Sequence, residues 1–197
     1  GAALGRVICD AYYEGCQEAG TADDATLSLT DLSRLESLMN AYERFGAEAL
    51  AAACDDPSFF TRFARVAAQS ENYEQGYTNM VDLGHMARQS GDLLPSAQDV
   101  LDALDGCVLY QVKGPYRGEA TGLSCYYSYN GDVDDLAGYT GVGAGEAFKY
   151  FYEYELTGRL AEDGAAYLAN MNIDASALQP VQSLTDTSWE DAPLTVN

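Results

Sequence analysis

Basic side chains are scarce in this chain of 197 residues, which has 10 lysines and arginines against 31 aspartates and glutamates. The formal net charge at pH 7 is therefore −21. Binding to a nucleic-acid backbone needs clustered lysine and arginine, so we predict no nucleic-acid partner. The same shortage argues against an anionic membrane surface. We interpret the acids mainly as a solvated surface, with binding of a cation or a basic substrate as the alternative.

Long apolar runs are also missing, since none approaches the roughly 20 residues of a membrane-spanning helix. We therefore predict no membrane insertion. Gly1 to Leu4 lead directly into a helical pattern and show no signal peptide. Hydrophobic residues still make up 47% of the chain, which is enough for the core of one globular domain.

The cysteines lack the spacings of a metal site. Their number is odd and no Cys-x-x-Cys pair occurs, so neither a zinc site nor a complete disulfide framework is indicated. Cys9 and Cys16 share one face of a predicted helix, but they are too far apart along it to form a disulfide. We interpret all five as buried free thiols, and we predict no cofactor. The five are Cys9, Cys16, Cys54, Cys107 and Cys125.

Most of the chain has apolar residues at helical spacing. Thr30 is predicted to cap the longest helix, and Asp55-Asp56-Pro57 to end that helix and start the next, with the proline at the first helical position. Gly91 is predicted to close a short helix. The predicted helices are Leu4 to Glu18, Leu32 to Ala53, one carrying Phe59 to Val66, one carrying Met80 to Met86, one that follows Ser96 and carries Val100 to Leu104, and Ala161 to Asn170.

The clearest strand pattern lies between Val108 and Tyr129. Val108 to Val112 is apolar, and Ala120 to Tyr129 is rich in β-branched, aromatic and cysteine residues. We predict that these two runs pair as a β-ribbon covered by helices, because two strands alone are marginally stable. The predicted fold class is thus α+β, predominantly helical with a small β-ribbon at about 108–129.

Two segments allow two interpretations. Thr26 to Leu29 alternates, as a short strand or an extended lead-in would. Glu146 to Leu156 fits either a helix or a strand, and we favour a helix because Thr157-Gly158 ends it. Residues 1–170 are predicted to form one helical region with the ribbon at its centre, and 171–197 an irregular tail or linker.

A Cys–His nucleophilic pair would be the obvious enzymatic interpretation, because a thiol needs a base within hydrogen-bond reach. His85 is the only histidine, and no cysteine lies in a glycine-flanked turn that would expose it. We therefore interpret His85 as a partly exposed helical histidine that pairs with a carboxylate. A serine triad lacks a base for the same reason.

An acidic segment, a group of glycines and a group of tyrosines each allow a structural and a functional interpretation. The acidic segment 130–135 spaces oxygens as a calcium loop does but lacks the distal glutamate of an EF-hand, so a turn is favoured over calcium. Gly141, Gly143 and Gly145 indicate a hinge rather than a phosphate cradle. The tyrosines are interpreted as a half-buried core, with a ligand or protein surface as the alternative. They are Tyr126, Tyr127, Tyr129, Tyr139, Tyr150, Tyr152 and Tyr154.

Five blocks together resemble the C-terminal portion of bacterial clostripain-like cysteine peptidases. They are LGRVICDAYYEGC, TLSLTDLSRLESLMNAYERF, YTNMVDLGHMARQ, LDALDGCVLYQV and ATGLSCYYSYNGD, in this order between Leu4 and Leu160. The resemblance implies a helical region that accompanies a caspase-like α/β sandwich, in a family that cleaves after arginine or lysine. The family's Asp-x-Cys turn and earlier histidine have no counterpart here, because Cys9-Asp10 is inverted. No catalytic, substrate-binding or metal residue is therefore carried over.

The resemblance predicts a non-catalytic C-terminal fragment whose partner is the upstream catalytic portion of the same polypeptide. It implies an extracellular or cell-envelope location in a bacterium. The alternatives are a stand-alone binding module that uses the Tyr126–Tyr154 cluster, and a degenerate family member that never had a dyad. Buried tyrosines would count against the ligand surface, and a broad open apolar patch would favour a missing partner segment. We expect an open, tyrosine-lined side to the ribbon.

Overall fold

A computed structural model describes residues 1–73, 79–127, 138–139, 145–160 and 162–174. It is predominantly helical with two small antiparallel sheets, so the α+β class is confirmed. Short 3₁₀ turns lie at Ala22–Asp24, Leu32–Arg34 and Pro115–Arg117. The helices and strands are, in order, α1 (Ala2–Ala19), β1 (Thr26–Thr30), α2 (Leu35–Asp55), α3 (Phe59–Gln69), β2 (Met80–Asp82), α4 (Leu83–Ser90), α5 (Ala97–Cys107), β3 (Val108–Lys113), β4 (Ser124–Tyr126), α6 (Glu146–Thr157) and α7 (Glu162–Asn170).

Helix α2 lies at the centre and packs against α6 on one side and α5 on another. Its aromatic side chains meet those of α3 and α6, with ring centroids of Phe45 and Phe148 5.1 Å apart and of Phe63 and Phe151 5.3 Å apart. Gly46 makes this approach possible, because a Cβ there would lie 2.9 Å from the backbone nitrogen of Phe148. Each aromatic pair adds about 0.5–1.5 kcal/mol beyond its burial.

Two glutamates of α2 accept hydrogen bonds where other helices begin. Glu48 accepts from the backbone amide of Ser96, 2.9 Å away, just before α5. Glu43 accepts from the backbone amide of Ala147, 3.0 Å away, in the first turn of α6. Carboxylates satisfy the free amides of a helix start and favour its positive end. Part of the acidic excess therefore stabilises the packing of helices on α2.

The predicted pairing of Val108–Val112 with Ala120–Tyr129 is wrong. Strand β3 pairs with β1, from Thr26 opposite Lys113 to Thr30 opposite Val108, and β4 pairs with β2. The turn Pro115–Arg117 bends the chain away after β3, and the Lys113 ammonium holds this bend by donating to the carbonyls of Gly118 and Ala120. The backbone groups of both strands are thus paired with strands that lie farther away in the sequence.

Other local predictions are confirmed. Thr26–Thr30 is a strand, which was one of the two interpretations of this segment. Glu146–Thr157 and Glu162–Asn170 are helices, as predicted. Of the predicted tail 171–197, the structure describes residues 171–174, which follow the end of α7.

Several boundaries differ from the prediction. Met80 belongs to β2, because its strand pairs with β4, and α4 begins only at Leu83. Helix α2 begins at Leu35, and the cap of the preceding 3₁₀ turn is Asp31, which accepts from Ser33, rather than Thr30. Pro57 lies before α3, which begins at Phe59. At each boundary, a capping side chain or a strand partner forms hydrogen bonds with backbone groups near the expected boundary. The observed element therefore begins one to three residues from the predicted position.

Candidate functional site

The densest group of buried polar side chains surrounds Asp82, at the end of β2. Its carboxylate is fully buried and accepts hydrogen bonds from the backbone amide of His85 at 2.9 Å and from the Tyr73 hydroxyl at 3.1 Å. It also accepts from the amide and hydroxyl of Thr121, at 2.7 and 2.6 Å. A buried carboxylate is tolerated only when it is satisfied in this way. Asp82 therefore caps α4 and ties it to the segment before β4.

His85, on the first turn of α4, is buried, unlike the partly exposed histidine that we predicted. Its Nδ1 accepts a hydrogen bond from the backbone amide of Glu71 at 2.9 Å. Its Nε2 lies 3.0 Å from the side-chain nitrogen of Gln89 and 3.9 Å from a carboxylate oxygen of Glu119. Both ring nitrogens are thus used in packing and are not paired with a thiol.

Arg117 completes this polar group. Its guanidinium forms an ion pair with Glu71 at 2.9 Å, donates to the carbonyl of Asn72 at 2.9 Å and lies over the Tyr73 ring. Burial, followed by the nearby Asp82 carboxylate, raises the pKa of Tyr73 well above its ordinary value. These contacts join the segment after α3 to the turn after β3, which is a structural role.

Three of the cysteines, Cys54, Cys107 and Cys125, do not resemble activated nucleophiles. Burial raises the pKa of Cys125 to about 12 and that of Cys54 to about 11. Burial and the nearby Asp31 also raise the pKa of Cys107, whose thiol donates to the Asp31 carbonyl. A catalytic cysteine needs the opposite shift, because the thiolate is the nucleophile. All five cysteines are free, as predicted, and Cys9, Cys107 and Cys125 are buried. Cys16 and Cys54 are only partly buried, so the prediction of buried thiols is wrong for these two.

The tyrosine cluster is largely internal. Tyr127, Tyr150, Tyr152 and Tyr154 are buried, and Tyr126 stacks on Tyr139 with ring centroids 4.4 Å apart. These side chains fill the contact between α6, α2 and β4, so they do not offer the ligand surface of the alternative interpretation. Tyr129 lies outside the described residues.

The calcium and phosphate patterns fall mostly outside the described residues. This holds for segment 130–135, for Gly141 and for Gly143, whereas Gly145 is buried against the Tyr42 ring just before α6. Within the described ranges, no group of three or more histidine, cysteine, aspartate or glutamate residues is placed to hold a metal ion. No helix in the same ranges is long and apolar enough to cross a membrane.

Within the described residues, most of the large exposed apolar side chains that share one helix face lie on the outer side of α1. The α1 stripe, defined as Leu4, Val7, Ile8 and Tyr12, has exposed fractions of 66, 62, 56 and 42%. The opposite face of α1 packs on β1 and β3, where Cys9 is buried. The sequence correctly predicted that these residues share one helix face. We expected an open side on the ribbon, lined by tyrosines. The exposed apolar surface is instead on α1 and is mainly aliphatic.

Four contacts hold α1 in this orientation. The Arg6 guanidinium donates to the carbonyl of Leu109 at 3.1 Å and lies over the Tyr110 ring, whose hydroxyl donates to Asp10 at 2.6 Å. Gly5 lies against Leu29, because its missing side chain leaves room for that leucine. The stripe therefore faces solvent because the other face of α1 is committed to the β1–β3 sheet.

An open cleft of about 560 Å³ lies beside this sheet, between α5 and β3. Leu109, 39% exposed, lies at the register shift of β3 and lines the cleft. Asp102 and Asp105 line the cleft and make part of its wall acidic. Arg88 also lines the cleft, and its guanidinium forms an ion pair with Glu119 at 2.9 Å.

Of the Asp82 group, only His85 was singled out from the sequence. We predicted Asp82 to lie inside the helix that carries Met80 to Met86, although an aspartate before a helical pattern is a typical cap. The contacts of Asp82 with Thr121 and Tyr73 join residues that are not adjacent in sequence. Comparisons of this chain with family models, with curated proteins and with solved structures found no match. The resemblance to clostripain-like peptidases therefore stays a prediction.

Proposed function

We propose that this chain is a non-catalytic accessory region of a clostripain-like cysteine endopeptidase, and that α1 packs against the catalytic portion encoded upstream. The parent would cleave after arginine or lysine with its own Cys–His dyad. The observation that carries the proposal is the exposed α1 stripe. A sustained helical stripe of large aliphatic side chains in water is unfavourable and marks an interaction surface.

The packing of the rest of the chain supports this interpretation of the stripe. The core side chains Phe45, Phe63 and Phe148 are fully buried, so the core of the described residues is packed without the outer face of α1. Covering an aliphatic side chain that is more than half exposed gains on the order of 1 kcal/mol. Leu4, Val7 and Ile8 together would therefore contribute a few kcal/mol to association.

A non-catalytic role agrees with the state of the candidate nucleophiles and base. Nδ1 of His85 accepts a hydrogen bond from the Glu71 amide, and its Nε2 lies 3.0 Å from the Gln89 side-chain nitrogen. The raised pKa values of Cys54, Cys107 and Cys125 disfavour their thiolates. A functioning dyad would need a thiol and an imidazole within hydrogen-bond reach. In this proposal the dyad lies in a caspase-like α/β sandwich, and the whole protein acts outside the cell or in the envelope of a bacterium.

The coding sequence upstream of the Gly1 codon tests the parentage. We expect a histidine followed by an Asp-x-Cys turn after an apolar strand. An upstream sequence without these features would contradict the proposal, whatever surface α1 binds.

An activity assay tests the non-catalytic part. The purified chain is incubated with fluorogenic peptides that end in arginine or lysine, and we expect no turnover. Five Cys→Ala variants, one for each of Cys9, Cys16, Cys54, Cys107 and Cys125, serve as controls. Turnover that one of these variants abolishes would show a nucleophile in this chain and overturn the proposal.

A further inference from the structure

Acidic side chains accompany the α1 stripe. With 3.6 residues per turn, Glu14 and Glu18 lie beside the stripe towards the end of α1, and both are exposed. Arg6 lies on the other side of the helix, where it contacts Leu109 and Tyr110. The stripe therefore has an acidic flank, and the one arginine of α1 is held against the sheet.

The surroundings extend this acidic character. Asp23 and Asp24 lie in the turn that follows α1, where Asp23 is exposed and Asp24 forms an ion pair with Arg117 at 3.5 Å. The whole chain carries a formal charge of −21. A second copy or another acidic partner would meet like charges around the stripe, which disfavours binding. A basic partner would gain on association rate and specificity.

The shape of the face fits a helix. Leu4, Ile8, Ala11 and Gly15 follow one another at the three- and four-residue spacing that helices use when they pack. Leu4 and Ile8 are large, whereas Ala11 and Gly15 leave space for the side chains of a partner. A Cβ at Gly15 would meet no atom within 4 Å, so this end of the face is open.

We infer that the α1 stripe binds an amphipathic helix whose apolar face is flanked by lysine or arginine. The occupant is a helix of the upstream catalytic portion, so its identity rests on the proposed function. Its apolar side chains cover Leu4, Val7 and Ile8, and its basic flank lies beside Glu14 and Glu18. The inference thus specifies that the partner surface is apolar with a basic flank, a property that the proposed function does not specify.

The test uses two synthetic helical peptides of about 18 residues, which is close to the length of α1. Both have the same leucine face, one flanked by lysines and the other by glutamates. Binding to the purified chain is measured by isothermal titration calorimetry at low and high salt. We expect the lysine peptide to bind at least about tenfold more tightly than the glutamate peptide, and more weakly at high salt, because salt screens exposed charges.

Two matched variants separate apolar contact from general attraction between opposite charges. Ile8→Glu places a charge within the stripe, and Tyr116→Glu places one at another exposed site, on the turn Pro115–Arg117. Ile8 is 56% exposed, so the variant is expected to fold, which circular dichroism checks. We expect Ile8→Glu to weaken binding of the lysine peptide at least about tenfold and Tyr116→Glu to change it less than about twofold.

Each of three results would overturn the inference. Unchanged or tighter binding by Ile8→Glu would show that the peptide is attracted only by the acidic surface. Equal binding of both peptides would show that the basic flank plays no part. Self-association in sedimentation equilibrium that Ile8→Glu removes would assign the stripe to a second copy. The peptide results do not depend on the upstream coding sequence, so a failure here is distinguishable from a failure of the proposed parentage.

Discussion

Asp82 accepts hydrogen bonds from both the amide and the hydroxyl of Thr121, at 2.7 and 2.6 Å, while the same carboxylate caps α4 through the amide of His85. We expect Asp82→Ala to lower the free energy of unfolding by about 3 kcal/mol. The loss combines a helix cap of about 1 kcal/mol with buried donors that are left without an acceptor. Urea denaturation followed by circular dichroism measures it.

Thr121→Val is the matched partner of this substitution. The Thr121 hydroxyl also accepts from the amide of Gly84 at 3.1 Å, so we expect its loss to cost about 1–2 kcal/mol. Because both side chains take part in the same contact, the double variant should lose less than the sum of the two single variants. Strictly additive losses would contradict the coupling.

Gly114 follows β3 and lies directly against the turn after α1. A Cβ at Gly114 would come within 2.0 Å of the Ala22 carbonyl oxygen and 2.3 Å of the Asp23 carbonyl oxygen. Backbone atoms cannot rotate away as a side chain can, so we expect Gly114→Ala to destabilise the chain by about 2–3 kcal/mol. Thermal denaturation measures this change.

Gly106 provides the control. It lies within α5, and a Cβ there would meet no atom within 4 Å. We expect Gly106→Ala to stabilise the chain by about 0.5–1 kcal/mol, because alanine restricts the unfolded chain and favours a helix. Equal effects of the two substitutions would show that the close approach at Gly114 is not tight.

Glu155, on α6, gives a pH dependence. Burial raises its pKa from the ordinary value of 4.5 to about 7. Between these values the folded chain binds a proton that the unfolded chain has released, so this group's contribution to stability is lost as the pH rises from about 4.5 to about 7. We expect Glu155→Gln to have little effect at pH 4 and to be more stable than the wild type at pH 8, by about 2 kcal/mol. Denaturation at both pH values measures the difference, and a gap that does not change with pH would contradict it.

The thiols should differ in reactivity from catalytic cysteines. Cys125 is buried with its pKa raised to about 12, so almost no thiolate is present at pH 8. We expect Cys125 to resist alkylation by iodoacetamide in the folded chain and to react once urea unfolds it. Peptide mapping by mass spectrometry locates the label. Rapid labelling of Cys125 in the folded chain would contradict the burial on which the proposed non-catalytic role partly rests.

The order and type of most helices could be predicted from local sequence. Apolar spacing places the helices that carry Phe45, Phe63 and Val100. The glycine-bounded segment Glu146–Thr157 could also be assigned as a helix. These features depend on residues within one or two turns of each other, so their physical causes lie within a short stretch of sequence.

Strand pairing and the exposure of α1 depended on contacts between distant residues. Val108–Lys113 reads as a strand, but only the packed chain decides that Thr26–Thr30 rather than the following segment pairs with it. The spacing of Leu4, Val7 and Ile8 defines one face of α1 and does not say which face the sheet covers. Arg6, through Leu109 and Tyr110, turns the other face inward, because backbone hydrogen bonds and packing are satisfied there. The sequence by itself thus determined that α1 has an apolar face, and the tertiary structure decided that this face is exposed.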